Sequence, residues 1–269
     1  RDPVVPSGVE ALILETTYGD RLHSPIERME DELAEIVTRV HARGGKLIIP
    51  SFALERAQEV VYALKRLHRR GRLPELPVFV DSPLTLRITD AFRMHPECFD
   101  EELQQILLDG DSPFDFPGLS YVSSVEESKA IDATRGPAII IAASGMCEFG
   151  RVVHHLKAFI GDRRSAVLIV GFQAQHTLGR RLVEQRRQVR ILGVERERLA
   201  EVVVLNGFSA HADQADLLAF AEAVRDRGKL RHLILVHGEP AAQQTMAALL
   251  ADRDFPRVEV PSRGDRIRI

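Results

Sequence analysis

Seven short runs along this chain are apolar at most of their positions: ALILE (11–15), KLIIPSF (46–52), PVFVDS (77–82), AIIIAAS (138–144), AVLIVGF (166–172), EVVVLNG (201–207) and HLILVH (232–237). A strand with one wet face alternates polar and apolar residues, so unbroken apolar strands belong to sheets covered on both faces, as parallel sheets are. The stretches between them carry helical periodicity. Met29, Leu33, Ile36, Val37 and Val40 form one apolar stripe, opened by Ser24-Pro25-Ile26-Glu27 in capping-box order and closed by Gly44-Gly45. Leu54, Ala57, Val61, Leu64 and Leu67 form a second. The pattern predicts an α/β fold of largely parallel sheets flanked by helices.

That rhythm breaks in two places. Segment 98–136 contains the turn-rich DGDSPFDFPG, followed by a short helix in VEESKAIDATRG. Charges cluster at 187–200 (RQVRILGVERERLA), which reads as a domain junction, and the tail VEVPSRGDRIRI reads as two short strands around a Ser-Arg-Gly-Asp turn.

Composition narrows the function classes. No apolar run approaches a membrane span, and RDPVVPSG at the start lacks the apolar core of a signal peptide, so no membrane role and a cytoplasmic location are expected. Two cysteines, Cys98 and Cys147, form neither a CxxC pair nor a disulfide framework. Any metal must therefore be held mainly by His, Asp or Glu. A net charge of −3 argues against nucleic-acid binding by bulk field alone. The basic stretches 64–72 and 180–190 read as solvated helix faces, with nucleic-acid contact only where they flank a site.

In open α/β sheets ligands gather beyond the carboxyl ends of the strands. The polar residues there are Glu15, Ser51, Asp81-Ser82, Ser144-Gly145, Gln173, His211 and His237. Ser82-Pro83 is explained by a helix N-cap followed by proline at N1. Glu15 suits either a cap or ion pair, or the orientation of a histidine. Ser144-Gly145 forms either a tight turn or a backbone nest for an anion. Thr177, Gly179 and Arg180 follow another strand, where the arginine fork suits a phosphate or carboxylate, and His176 stands beside them. His154 and His155 are neighbours that diverge on a helix, which disfavours a shared metal. His211 and His237 each follow or end a buried strand in succession, and so point at one cleft. A hydrolytic zinc site takes about three protein ligands plus a water, and one or two are found here, so the metal centre is expected to be incomplete on this chain.

Taken in order, ETTYGDRLH (15–23), PSFALERAQEVVYAL (50–64), VDSPLTLRITDAF (80–92), AASGMCEFGRVVHHL (142–156), GFQAQHTLGRRL (171–182), GFSAHADQ (207–214) and LVHGEP (235–240) resemble the β-CASP branch of the metallo-β-lactamase superfamily. The likeness is greatest to its bacterial and archaeal ribonucleases related to the cleavage and polyadenylation specificity factor nuclease, and it covers essentially the whole chain.

The resemblance implies a β-CASP domain inserted in a lactamase αββα fold that carries two zinc ions, and a zinc-dependent hydrolysis of RNA phosphodiesters. Glu15 corresponds to the motif A acid, His211 to the motif B histidine and His237 to the motif C histidine. Their implied roles are orientation, general acid and zinc ligand. Ser209, Ser144, Gly145, Thr177, Gly179 and Arg180 correspond to substrate phosphate-binding positions, and Asp213 to a helix cap. A histidine at motif C is typical of RNA-cleaving members. No HxHxDH motif occurs in residues 1–269, so the chain is expected to lack the N-terminal lactamase half and to be inactive alone. The expected division is 1–20 as the end of that half, 21–195 as the β-CASP domain and 196–269 as the returning lactamase segment. The alternatives are a non-catalytic RNA-binding scaffold and a small-molecule metallohydrolase, and a homodimer is left open. Thr16 stands where the family usually has Ser, and Glu55 and His176 where it often has Gly.

Overall fold

The computed structural model describes residues 3–269, apart from the side chains of Ile26 and Glu27. In chain order its first elements are β1 (Ala11–Glu15), α1 (Ile26–Ala42), β2 (Lys46–Pro50), α2 (Arg56–Arg69), β3 (Val78–Asp81), α3 (Pro83–Met94) and α4 (Glu101–Leu108). They are followed by β4 (Leu119–Val122), α5 (Val125–Ala133), β5 (Ala138–Ala142), α6 (Val152–Phe159), β6 (Ala166–Ile169) and α7 (Leu178–Val183). The last are β7 (Gln188–Ile191), β8 (Val194–Glu197), β9 (Glu201–Val204), α8 (Gln214–Asp226), β10 (His232–Val236), α9 (Pro240–Ala251) and β11 (Arg257–Glu259). All seven apolar runs contain strands.

Two compact units divide the chain: Ser24–Ser209, and residues 3–23 together with Ala210–Ile269. The sequence expectation placed these junctions at 20/21 and 195/196. Strand β9 hydrogen-bonds to β6 with Ala166 opposite Glu201, so residues 201–204 complete the larger unit's sheet.

The larger unit is built on a parallel six-stranded sheet in the order β4-β3-β5-β2-β6-β9. Its central strands β2 and β5 are buried at every position, as unbroken apolar runs require. Alternate residues of each strand feed two different cores. Leu47, Ile49, Ile139 and Ile141 pack with α1 and α2 through Leu33, Val37, Val61 and Leu64, whereas Ile48, Ile140, Val167 and Ile169 pack with α6 through Val152 and Leu156. Pro50, which has no ladder donor of its own, is the last residue of β2, and Ser51 N still donates to Ala142 O at 3.0 Å.

Local chemistry sets the helix starts. Ser82 caps α3 by accepting from Thr85 N at 3.2 Å, with Pro83 at N1. Ser124 and Glu127 form a capping box on α5. Helix α1 instead begins after Pro25, which has no side-chain cap, and the Glu27 side chain needed for the expected capping box lies outside the described residues. Leu54 precedes α2 and is exposed, so the second helical stripe starts at Ala57.

Segment 98–136 is more regular than its composition suggests, holding α4, β4 and α5. The charged stretch at 187–200 is an antiparallel hairpin of β7 and β8. Its two-residue loop Leu192-Gly193 has φ of +50° and +79°, both in the left-handed region that two-residue hairpin turns demand. Val189 and Ile191 are buried while Gln188 and Arg190 are exposed, so this strand has one wet face.

The smaller unit pairs β1, β10 and β11 in parallel, with Leu14, Leu233 and Leu235 packed under α8 and α9 against Leu217, Val224, Met246 and Leu250. In the tail only Arg257–Glu259 forms a strand; Asp265 N closes a turn on Ser262 O at 3.1 Å and no strand follows. Among the described residues no helix is long and apolar enough to cross a membrane.

Candidate active site

Strand register brings the first two site residues together. Ala11–Glu15 lies opposite His232–Val236 residue by residue, so Glu15 and His237 leave adjacent strands at the same end of the sheet. Thr16 Oγ1 then donates to the Val236 carbonyl at 2.8 Å and straps the two exits. The turn after β10 passes so close to Thr16 that a Cβ on Gly238 would lie 2.5 Å from its carbonyl oxygen, and His237 takes a left-handed φ of +51°. Only glycine fits the first position.

His211 arrives from the other side, just ahead of α8. That helix is anchored by Asp213, which accepts from Asp216 N at 3.0 Å and from His23 N at 2.9 Å. Burial works against the Asp213 charge, but these backbone donors outweigh it and hold the carboxyl below its ordinary range. Asp213 is a helix cap, as expected.

Glu15 Oε1 lies 3.3 Å from His211 Nδ1, and Glu15 Oε2 accepts from Thr17 N at 2.6 Å. The His211 and His237 rings are near parallel at 29°, with centroids 5.3 Å apart. Glu15, His211 and His237 each bring one nitrogen or oxygen within 4.8 Å of the others. Glu15 and His211 are half-buried and His237 is exposed. The sequence reading gave Thr17 no role, yet its hydroxyl lies 3.1 Å from His237 Nδ1 and 3.3 Å from His211 Nδ1. The available signal was its position two residues after an acid at a strand exit.

The donor set fits zinc in part. Both Glu15 oxygens are engaged within the protein, and both Nδ1 atoms face Thr17. Nε2 of His237 points away from that contact. Exposed His237 suits one vertex of a site that needs about three protein ligands.

The other candidate residues belong to the larger unit. Ser144 and Gly145 turn the chain after β5, with Ser144 Oγ donating to Phe149 O at 3.1 Å. Thr177 caps α7, accepting from Arg180 N at 3.1 Å and donating to Ala174 O at 2.7 Å. Gln173 joins these two loops: its Nε2 donates to Gly145 O at 2.9 Å and to Gly171 O at 3.2 Å. A Cβ on Gly179 would fall 1.6 Å from Gln173 Oε1, and Gly179 N donates to Met146 O at 3.1 Å. Five of the six positions, Ser144, Gly145, Thr177, Gly179 and Arg180, thus form one cluster around buried Gln173, a strand-end residue to which no role had been given. Arg180 pairs with Glu184 at 3.1 Å. Ser209 follows the 3₁₀ turn Asn206–Phe208 in the same unit.

Residues 57–182 match the Beta-Casp domain family, and residues 196–261 match the family described as "Zn-dependent metallo-hydrolase RNA specificity domain". The chain belongs to the β-CASP family of the metallo-β-lactamase fold. Among curated β-CASP relatives, "Ribonuclease TTHA0252" of Thermus thermophilus is 40% identical over 253 residues, covering 94% of this chain and 57% of the relative. "Transcription termination factor FttA" of Pyrococcus horikoshii is 32% identical over 269 residues, covering 97% and 41%. The protein of the same name from Cenarchaeum symbiosum is 35% identical over 252 residues, covering 89% and 38%. The chain thus spans about half or less of the length of these relatives.

Proposed function

We propose that this β-CASP chain is part of a zinc-dependent ribonuclease that hydrolyses RNA phosphodiester bonds in the cytoplasm. The observation that carries the reading is Glu15 Oε1 at 3.3 Å from His211 Nδ1, beside a second imidazole whose ring stacks at 5.3 Å. A carboxylate behind an imidazole orients it and fixes its tautomer, which leaves the far nitrogen to exchange a proton with the substrate. His211 thereby protonates the leaving 3′ oxygen from Nε2 as the scissile P–O bond breaks. His237 Nε2 would hold zinc, of which the intact protein would carry two ions. Zinc, when bound, activates water and stabilises charge on the phosphate. The Ser144, Gly145, Thr177, Gly179 and Arg180 cluster, with Ser209, holds substrate phosphates, Arg180 through its planar fork. The names of the Thermus relative and of the domain at 196–261 support RNA as substrate. A purely RNA-binding scaffold has no use for an acid–imidazole pair beside a second histidine.

The test is made on the intact protein that contains this chain. His211→Ala lowers zinc-dependent RNA cleavage by about 100-fold or more while leaving zinc content unchanged, whereas His237→Ala lowers both. Full activity in His211→Ala removes the general acid, and absence of zinc-dependent cleavage by the wild type overturns the reading.

A further inference from the structure

The Thr17 hydroxyl sits between three acceptors or donors. It donates to the His237 carbonyl oxygen at 3.1 Å, and it lies 3.1 Å from His237 Nδ1 and 3.3 Å from His211 Nδ1. A threonine hydroxyl has one proton and two lone pairs, and a carbonyl oxygen can only accept. With the single proton spent on the carbonyl, the lone pairs face the two rings. Each ring satisfies that contact only by carrying a proton on Nδ1.

We propose that Thr17 is a positioning residue that sets both His211 and His237 in the Nδ1–H tautomer, so that Nε2 is the basic nitrogen of each ring. The consequence for catalysis rests on the reading of His211 as acid and His237 as zinc ligand; the tautomers themselves do not. Nε2 of His237 then carries the lone pair a metal requires, and Nε2 of His211 is the atom that loads and delivers a proton.

The surroundings hold this arrangement in place. Thr17 is 4% exposed, so water does not compete for its hydroxyl. Its main-chain N–H fixes Glu15 Oε2 at 2.6 Å, and Glu15 Oε1 shares the His211 Nδ1 proton at 3.3 Å. The Thr16 strap to Val236 and the lack of space at Gly238 fix the main chain on both sides. One residue thus holds the acid by its backbone and both imidazoles by its side chain. Free histidine side chains favour Nε2–H, the tautomer that would place a proton where the metal must bind.

The experiment is a long-range ¹H–¹⁵N spectrum of the histidine rings in the zinc-free chain, at about pH 8.5, where imidazoles are neutral. His211 and His237 are expected to show the Nδ1–H pattern in wild type and in Thr17→Ser. In Thr17→Val, with an unchanged backbone amide spectrum, His237 loses it, whereas Glu15 still holds His211 in it. An Nε2–H pattern for either ring in the wild type overturns the proposal, as does retention of Nδ1–H by His237 in Thr17→Val. In the intact protein Thr17→Val lowers kcat roughly 10–100-fold with KM unchanged, and Thr17→Ser restores it. Failure of the wild type to cleave RNA removes the ribonuclease reading alone, because the ring spectra decide the tautomers independently.

Discussion

Nε2 of His155 lies 2.8 Å from Oδ2 of Asp81, and neither side chain has any exposed surface. Ser128 Oγ donates to the same carboxylate oxygen at 2.5 Å, Arg151 pairs with the other one, and Asp132 Oδ1 meets His155 Nδ1 at 2.6 Å. A carboxylate at the exit of β3 thereby ties together α5 and α6. Removing one member of an enclosed ion pair leaves its partners charged and unsatisfied. Asp81→Asn is therefore expected to destabilise the larger unit by about 3–5 kcal/mol, read from the urea midpoint; an unchanged midpoint would refute the role given to this cluster.

The same cluster sets a pH dependence. Burial opposes charge on His155, but its hydrogen bonds to Asp132 and Asp81 outweigh burial and raise its pKa. Burial likewise opposes charge on Asp81, and hydrogen bonds from His155, Ser128 and Arg151 outweigh it and lower its pKa. A raised histidine contributes stability that is complete below about pH 6.5 and disappears as pH rises through the folded value; a lowered aspartate contributes stability that disappears as pH falls below about 3.9. The urea midpoint should therefore fall on the alkaline side of neutrality, and Asp81→Asn should flatten that limb. Identical pH profiles for the two proteins would dissociate the cluster from the effect.

Glu55 and His176 have φ of +62° and +69°. With ψ of −61°, Glu55 lies in the strained region of a tight three-residue turn. Glu55→Gly should stabilise by about 1 kcal/mol, raising Tm by roughly 2–4 °C. His176→Gly should gain less, because histidine tolerates the left-handed region better. A lower Tm for Glu55→Gly contradicts the strain.

Gly238→Ala forces a Cβ to 2.5 Å from the Thr16 carbonyl oxygen, so the turn carrying His237 must shift. The expected cost is roughly 1–3 kcal/mol with weaker zinc binding, followed by melting and by zinc titration. Wild-type affinity in this variant would separate the turn from the metal site.

Asp213→Ala removes the capping box of α8 and the partner of His23 N. It should cost about 1 kcal/mol and leave zinc affinity unchanged. A loss of zinc binding with little loss of stability would make Asp213 a ligand instead of a cap.

The strands that were legible in the sequence are those buried on both faces, because their burial is written into consecutive residues. β4, at the sheet edge, mixes Ser120 with half-buried Leu119 and Tyr121, and β7 interleaves Val189 and Ile191 with Gln188 and Arg190. Neither has an unbroken apolar run, so one passed for irregular chain and the other for a charged junction. The meeting of Glu15, His211 and His237 was legible because each residue stands at a strand exit or helix entry. Thr17 and Gln173 stand in equally visible places, but hydroxyl and amide side chains also serve turns, and only distances separate the two uses. Asp81 and His155, 74 positions apart, give no local sign of meeting.

The pairing of β1 with β10 joins residues 221 positions apart, and all of the larger unit is encoded between them. As the ribosome extends the chain, all of Ser24–Ser209 is synthesised before His211 and His237. Residues 3–23 must wait throughout that interval without the partner strand they need. Closing so long a loop is entropically slow. Assembly of the Glu15, His211 and His237 trio is thus a late event in the biogenesis of this protein, and chains arrested before His237 lack both that imidazole and its turn.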